Sequence, residues 1–151
     1  MYRGHRIAAV LPAHNEVLHI LGVIRSMPES VDHIIVVDDC SEDETFNVAS
    51  NSKDARVITI RTPSNQGVGG ATITGYMKAL EINSDVIIKM DGDGQMDPGY
   101  LPALLDCLIE QDYDYAKGNR FLSGESLAFM PRHRLIGNIL LTFLTKLASG
   151  Y

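Results

Sequence analysis

The 151-residue sequence is poor in cysteine, with only Cys40 and Cys107. Two thiols build no disulfide framework, and neither has the spacing of a metal-ligand set. A reducing, cytoplasmic setting is therefore expected. Long apolar runs are also missing. None reaches the roughly 18 residues needed to span a bilayer, and no stretch reads as a signal peptide. There is no excess of positive charge: the formal net charge is −6, which gives no general drive toward nucleic acid, so none is expected as a partner. Internal repeats, low-complexity segments and linkers are absent, so one domain over residues 1–151 is expected. No Gly-Lys-Ser/Thr follows the glycines, which excludes a Walker phosphate loop.

What is present is the composition of a globular domain with a core: 45% hydrophobic and 21% charged residues. Apolar, β-branched runs predict strands at residues 6–11, 31–37, 56–60 and 85–90. Pro12 is read as the end of the first. Helical periodicity follows each strand: residues 14–26, 42–49, 67–80 and 98–110. Asn15 is a candidate N-cap for the first helix. Ser41 and Glu44 have capping-box spacing for the second. Asp97 and Pro98 suit the start of the fourth. Residues 113–116 read as a short further strand. A last helix, opened by Arg132 and Arg134, carries Ile136, Ile139, Leu140, Phe143, Leu144 and Leu147 as an apolar stripe. Strand and helix in alternation predict an α/β fold with a doubly wound, mainly parallel sheet. The sequence stops at Gly150 and Tyr151 without a tail, which suggests a longer protein cut at its C-terminus.

Chemistry gathers where strands end. Asp91, Gly92 and Asp93 follow the fourth strand. If the chain stays extended, two carboxylates one residue apart point the same way and can converge on one cation. Gln95 can add a neutral oxygen, and such a set suits Mg²⁺ or Mn²⁺. Acidic and glycine residues also make ordinary turns, so this motif decides nothing alone. Asp38 and Asp39 end the second strand. Adjacent like charges at the tip of a buried strand need partners, such as a nucleotide's N–H groups, ribose hydroxyls or a shared cation. Asn65, Gln66, Gly67, Val68, Gly69 and Gly70 open the third helix. Position 72 is Thr, so the dinucleotide fingerprint is incomplete. Either a bare helix start approaches a ligand closely or it packs tightly on the sheet. From Lys117 onward five bases face the single acid Glu125. That asymmetry suits a site holding a cation on one side and phosphate on the other.

In order, Val10-Leu11-Pro12-Ala13-His14-Asn15-Glu16, Val36-Val37-Asp38-Asp39-Cys40-Ser41, Asn65-Gln66-Gly67-Val68-Gly69-Gly70, Asp91-Gly92-Asp93-Gly94-Gln95 and Gly118-Asn119-Arg120-Phe121 resemble the family 2 glycosyltransferases of GT-A fold. The nearest likeness is to the polyprenyl-phosphate sugar transferases of the dolichol-phosphate mannose synthase kind. The likeness covers nearly the whole chain. It implies that Pro12, His14 and Glu16 line the nucleotide pocket, with His14 where tyrosine is common. It implies that Asp38 binds the base and Asp39 lies near the ribose, and that Gly67 and Gly70 let the helix start approach the nucleotide. It places Asp91 near ribose and sugar, Asp93 and Gln95 on the metal, and Arg120, Arg132 and Arg134 toward an acceptor phosphate. Asp91, Asp93 and Arg120 are the implied catalytic residues.

The implied reaction is transfer of a sugar, with inversion, from a UDP- or GDP-linked donor. A phosphate acceptor is already ionised near neutral pH and needs positioning; a hydroxyl acceptor would need a carboxylate base. A polyprenyl phosphate at the cytoplasmic face of a membrane is the expected acceptor, as in cell-envelope assembly. A polysaccharide or other hydroxyl acceptor, or a non-catalytic nucleotide-sugar-binding domain, is the alternative. A nucleotidylyltransferase should carry a glycine-rich basic loop after its first strand, where this chain has Pro12-Ala13-His14-Asn15-Glu16.

Overall fold

A computed structural model describes residues 1–111 and 113–118, together with Leu141, Leu144, Lys146 and Leu147. Four parallel strands form one sheet: β1 (Ile7–Ala13), β2 (His33–Asp38), β3 (Val57–Arg61) and β4 (Val86–Lys89), in the order β3-β2-β1-β4. Between them run α1 (Ile20–Ser26), α2 (Thr45–Ser50) and α3 (Gly67–Glu81). The strand order reverses between β1 and β4, and a ligand crevice forms at such a switch point, beyond the carboxyl ends of the strands.

Every residue of β1 is buried, as is β2 from Ile34 on. These continuous apolar runs are what a parallel sheet covered on both faces requires. On one face Ala8, Val10, Ile35 and Val37 form a core with Ala71 and Ala79 of α3. Ala71, Gly75 and Ala79 recur every fourth residue and are the buried residues of α3, so the helix presents its smallest side chains inward. A Cβ on Gly75 would lie 2.2 Å from Cγ1 of Val10. Helix and sheet are that close, and this glycine serves packing.

Several boundaries move for local reasons. Pro12 does not end β1, which runs on to Ala13 with Pro12 opposite Val37. A proline has no N–H, but its carbonyl still accepts, here from Gly92 N at 3.3 Å. The first helix begins at Ile20, with His19 at its N-cap position. Asn15 does not cap it: at φ 57° Asn15 is left-handed, and its Oδ1 accepts from Glu42 N at 2.9 Å. The Ser41–Glu44 capping box does not form either, because Ser41 Oγ accepts from Asn15 N at 2.9 Å. Asp43 accepts from the N–H and hydroxyl of Thr45 instead.

Asp97 does accept from Gly99 N at 2.8 Å and opens a 3-10 turn, Pro98–Tyr100. It leads into α4 (Leu101–Glu110), where Leu101 and Leu105 are buried. Residues 113–116 are not a strand. Tyr113 N–H bonds back to Leu108 C=O at 3.0 Å, and Tyr113 and Tyr115 are exposed. Of the last expected helix, only Leu141, Leu144, Lys146 and Leu147 are described, and they are helical. Among the described residues no helix is long and apolar enough to cross a membrane.

Candidate active site

The loops after β1 and β2 are bonded to each other at the carboxyl edge of the sheet. Glu16 N donates to Thr45 Oγ1 at 2.8 Å and Val17 N to Asp43 Oδ2 at 3.3 Å, beside the Asn15–Ser41 and Asn15–Glu42 bonds. Cys40, at φ 57°, adopts the left-handed turn that carries the chain from Asp39 to Ser41. Burial pushes the Asp43 carboxyl up. Hydrogen bonds from the Thr45 side chain and from the Thr45 and Val17 N–H groups outweigh that and hold it below the usual carboxylate value.

These loops, the start of α3 and the turn after β4 enclose a cavity of about 290 Å³. Pro12, Ala13, His14 and Glu16 line it from the β1 side, and Asp39 from β2. Asn65, Gly67, Val68 and Ala71 belong to α3 and its approach, and Asp91, Gly92 and Asp93 to the turn after β4. Gly67 is left-handed at φ 73°, with nothing near the place a Cβ would take. Backbone conformation, not space, selects glycine there.

Asp38 and Asp39 part company. Asp38 is fully buried away from the cavity lining. Parallel register sets it opposite Arg61, whose Nε lies 3.3 Å from Oδ2. Its Oδ1 is buried without a hydrogen-bond partner. Arg61 also donates to Ser41 C=O at 2.7 Å and lies over the Phe46 ring. Asp39 faces the cavity, with Oδ1 accepting from Thr62 Oγ1 at 2.8 Å and Gln66 N at 2.9 Å. The protein itself thus supplies partners for both oxygens of Asp39 and for Oδ2 of Asp38. Arg61 and Thr62 escaped the sequence reading; the signal was a polar pair at the end of a β-branched run.

Asp39 also fixes the imidazole of His14. Its carbonyl lies 2.8 Å from Nδ1 and can only accept, so the proton sits on Nδ1. Nε2 then accepts from the Asn65 side-chain amide at 3.3 Å. Glu16 Oε2 pairs with Nδ1 of His19 at 2.9 Å.

The strand geometry expected for the acidic motif stops early. β4 ends at Lys89, and residues 91–95 form a turn with Gly94 at φ 74°. Asp93 Oδ1 accepts from Gln95 N at 3.0 Å. Asp91 and Asp93 both reach the cavity, but through this turn. Gln95 is exposed and does not line it. Gly70 does not line it either: a Cβ there would meet Gln66 Cβ at 2.5 Å. A Cβ on Gly92 would meet Ala13 Cβ and Pro12 C=O at 3.2 Å, so the turn lies close against the end of β1. Arg120, Arg132 and Arg134 lie outside the described residues.

Glu16, Asp39, Asp91 and Asp93 give the cavity four carboxylates, and no Lys or Arg lines it among the described residues. No three His, Cys, Asp or Glu side chains of the described residues converge as a metal-ligand set. A hard cation held by Asp93 would have to complete its coordination with phosphate oxygens and water, an arrangement usual for Mg²⁺.

Known proteins are similar to this chain along most of its length. A UDP-N-acetylglucosamine–dolichyl-phosphate N-acetylglucosaminyltransferase of Methanococcus voltae is 33% identical over 160 residues, covering 96% of this chain and 64% of its own length. An undecaprenyl-phosphate mannosyltransferase of Micrococcus luteus is 32% identical, covering 97% and 65%. The chain thus spans under two thirds of the length of these relatives. Among solved structures, glucosyl-3-phosphoglycerate synthase of Mycobacterium tuberculosis, in complex with Mn²⁺, UDP and phosphoglyceric acid, superposes with a TM-score of 0.57. It is 29% identical and covers 70% of this chain and 39% of that one. The same enzyme has been crystallised with Mg²⁺ and UDP. The parallel sheet with its cleft at the strand ends is the GT-A fold. With residues 8–150 matched by the pattern described as Glycosyl transferase family 2, the chain belongs to that family.

Proposed function

We propose that the chain is the nucleotide-sugar-binding domain of an enzyme that transfers a sugar, with inversion, from a UDP- or GDP-linked donor to a polyprenyl phosphate. The observation that carries this reading is the convergence of Asp39, Asp91 and Asp93, from two different strand ends, with the start of α3 on one cavity. The lipid-phosphate acceptor rests on the two named relatives, whose names specify dolichyl and undecaprenyl phosphate. The reaction would take place at the cytoplasmic face of a membrane.

Each side chain then has a task. Asp39, buried and held by Thr62 and Gln66, accepts hydrogen bonds from the nucleoside without needing to reorganise. Asp38, behind it, orders the loop through Arg61, and contact with the base falls to the cavity-lining residues Pro12, His14 and Glu16. Gly67 brings the N–H groups of α3 toward the diphosphate. Asp91 takes ribose or sugar hydroxyls. Asp93 holds the divalent cation, Mg²⁺ or Mn²⁺, with Gln95 beside it in the same turn. When bound, that cation supplies Lewis-acid stabilisation of the charge growing on the leaving diphosphate. Arg120, Arg132 and Arg134 are assigned to the acceptor phosphate, where bidentate guanidinium contacts would set its line of attack.

Calorimetric titration with UDP and GDP, in Mn²⁺ and after chelation, tests the reading. Binding of one nucleotide that strengthens with Mn²⁺ supports it. Absence of binding to either nucleotide under both conditions rejects it.

A further inference from the structure

β4 reads Val86, Ile87, Ile88, Lys89. A single charged residue closes an otherwise apolar strand. Side chains alternate across a sheet, so Lys89 lies on the same face as Ile87, which packs against the core shared with α3. Register pairs Lys89 with Val10 of β1, itself in that core. This is the face on which Gly67, Val68 and Ala71 of α3 line the cavity. Lys89 does not line the cavity. Its ammonium bonds one carboxylate oxygen of Asp91, which does. The two side chains are 31% and 34% exposed, so water screens the pair only in part.

We infer that Lys89 is a positioning residue: it grips one oxygen of Asp91 and fixes the orientation of that carboxylate for the hydroxyls of a nucleotide sugar. The inference rests on the function proposed above and adds to it a residue that touches no substrate. Two physical effects follow. One oxygen of Asp91 is held, so the carboxylate presents the other in a single orientation and loses less freedom on binding. The ammonium also adds one resident positive charge next to a cavity lined by four carboxylates. That weakens the field opposing entry of an anionic diphosphate.

The test uses the protein at its natural length, with UDP and GDP as probes in Mn²⁺. Lys89→Gln should weaken binding of the nucleotide that the wild type prefers by about tenfold. Its thermal midpoint should stay within a few degrees of wild type. Lys89→Arg, which keeps the charge, should recover most of the affinity. In an Asp91→Asn background the Lys89→Gln change should have little further effect, because the group it acts through is already neutral. A purely structural role would move the midpoint and would show no such dependence on Asp91.

Unchanged affinity in Lys89→Gln overturns the inference. So does tighter binding, which would mean that the ammonium competes with the metal for Asp91. An equal loss with and without Asp91 also overturns it, and would point to direct contact with phosphate. If the wild type binds neither nucleotide, the proposed function fails first and takes this inference with it.

Discussion

The two edges of the sheet use the same residue type for opposite ends. At the edge where the strands start, carboxylates tie the chain to itself. Asp32 accepts from Ile7 N at 2.8 Å, Asp85 from Arg6 N at 2.7 Å, and Asp54 from the N–H and guanidinium of Arg56. Arg56 in turn donates to the carbonyls of Pro28 and Val31. Asp32 and Asp85 thus meet donors from a distant segment, and Asp54 meets Arg56 two residues on. At the edge where the strands finish, Glu16, Asp39, Asp91 and Asp93 are also held by protein donors, yet all four face one cavity. The first edge is closed by contacts within the chain; the second gathers four acids on an open cavity, where the proposed cation and nucleotide would bind.

The sharpest way to break this contrast is a matched pair of substitutions. Asp93→Ala should abolish the gain in nucleotide affinity that Mn²⁺ provides and lower sugar-transfer turnover by about 10²-fold. The thermal midpoint should stay near that of wild type, because only Gln95 N–H loses a partner. Titration calorimetry and a melting curve read both quantities. At the opposite edge Asp32→Ala should leave nucleotide affinity intact. It should destabilise the fold by about 1–3 kcal/mol, since Ile7 N–H loses its acceptor at a part-buried site. If both variants lose binding alone, or stability alone, the division between the edges is wrong.

A core substitution separates packing from either edge. Gly75→Ala puts a methyl 2.2 Å from Val10 Cγ1 and should cost about 1–3 kcal/mol in denaturant unfolding. Nucleotide affinity should be preserved once the variant is folded.

The smallest expected effect is a pH dependence. Hydrogen bonds from Arg56 hold the Asp54 carboxyl below its usual value. A carboxylate whose folded pKa is depressed stabilises the fold above its unfolded pKa, roughly pH 4. That contribution is lost as pH falls through the lower folded value. The thermal midpoint should therefore be insensitive to Asp54→Asn below that value. Above roughly pH 4 the variant should be the less stable of the two.

Much of the architecture is legible in the sequence. Unbroken β-branched runs such as Ile34, Ile35, Val36 and Val37 can hardly be placed except in a sheet covered on both faces. The cap at Asp97 was legible, but those expected at Asn15 and Ser41 were not. Asn15, Ser41 and Glu44 have the right types and spacings for local caps. They were drawn off because the loops after β1 and β2 meet at the sheet edge and offer each other better partners. Spacing describes what a residue can do with its own neighbours, not what a distant loop will offer.

The parallel sheet and the gathering of acids at strand ends follow from periodicity and residue type, which are properties of the chain itself; the family follows from the likeness of its ordered motifs to known sequences. Tertiary structure alone decided that Asp39 and not Asp38 faces the cavity, that Gly75 is needed for closeness to Val10, and that Lys89 reaches Asp91. Each of these depends on strand register, helix distance or the path of a turn. Those are fixed only when segments far apart in sequence pack together.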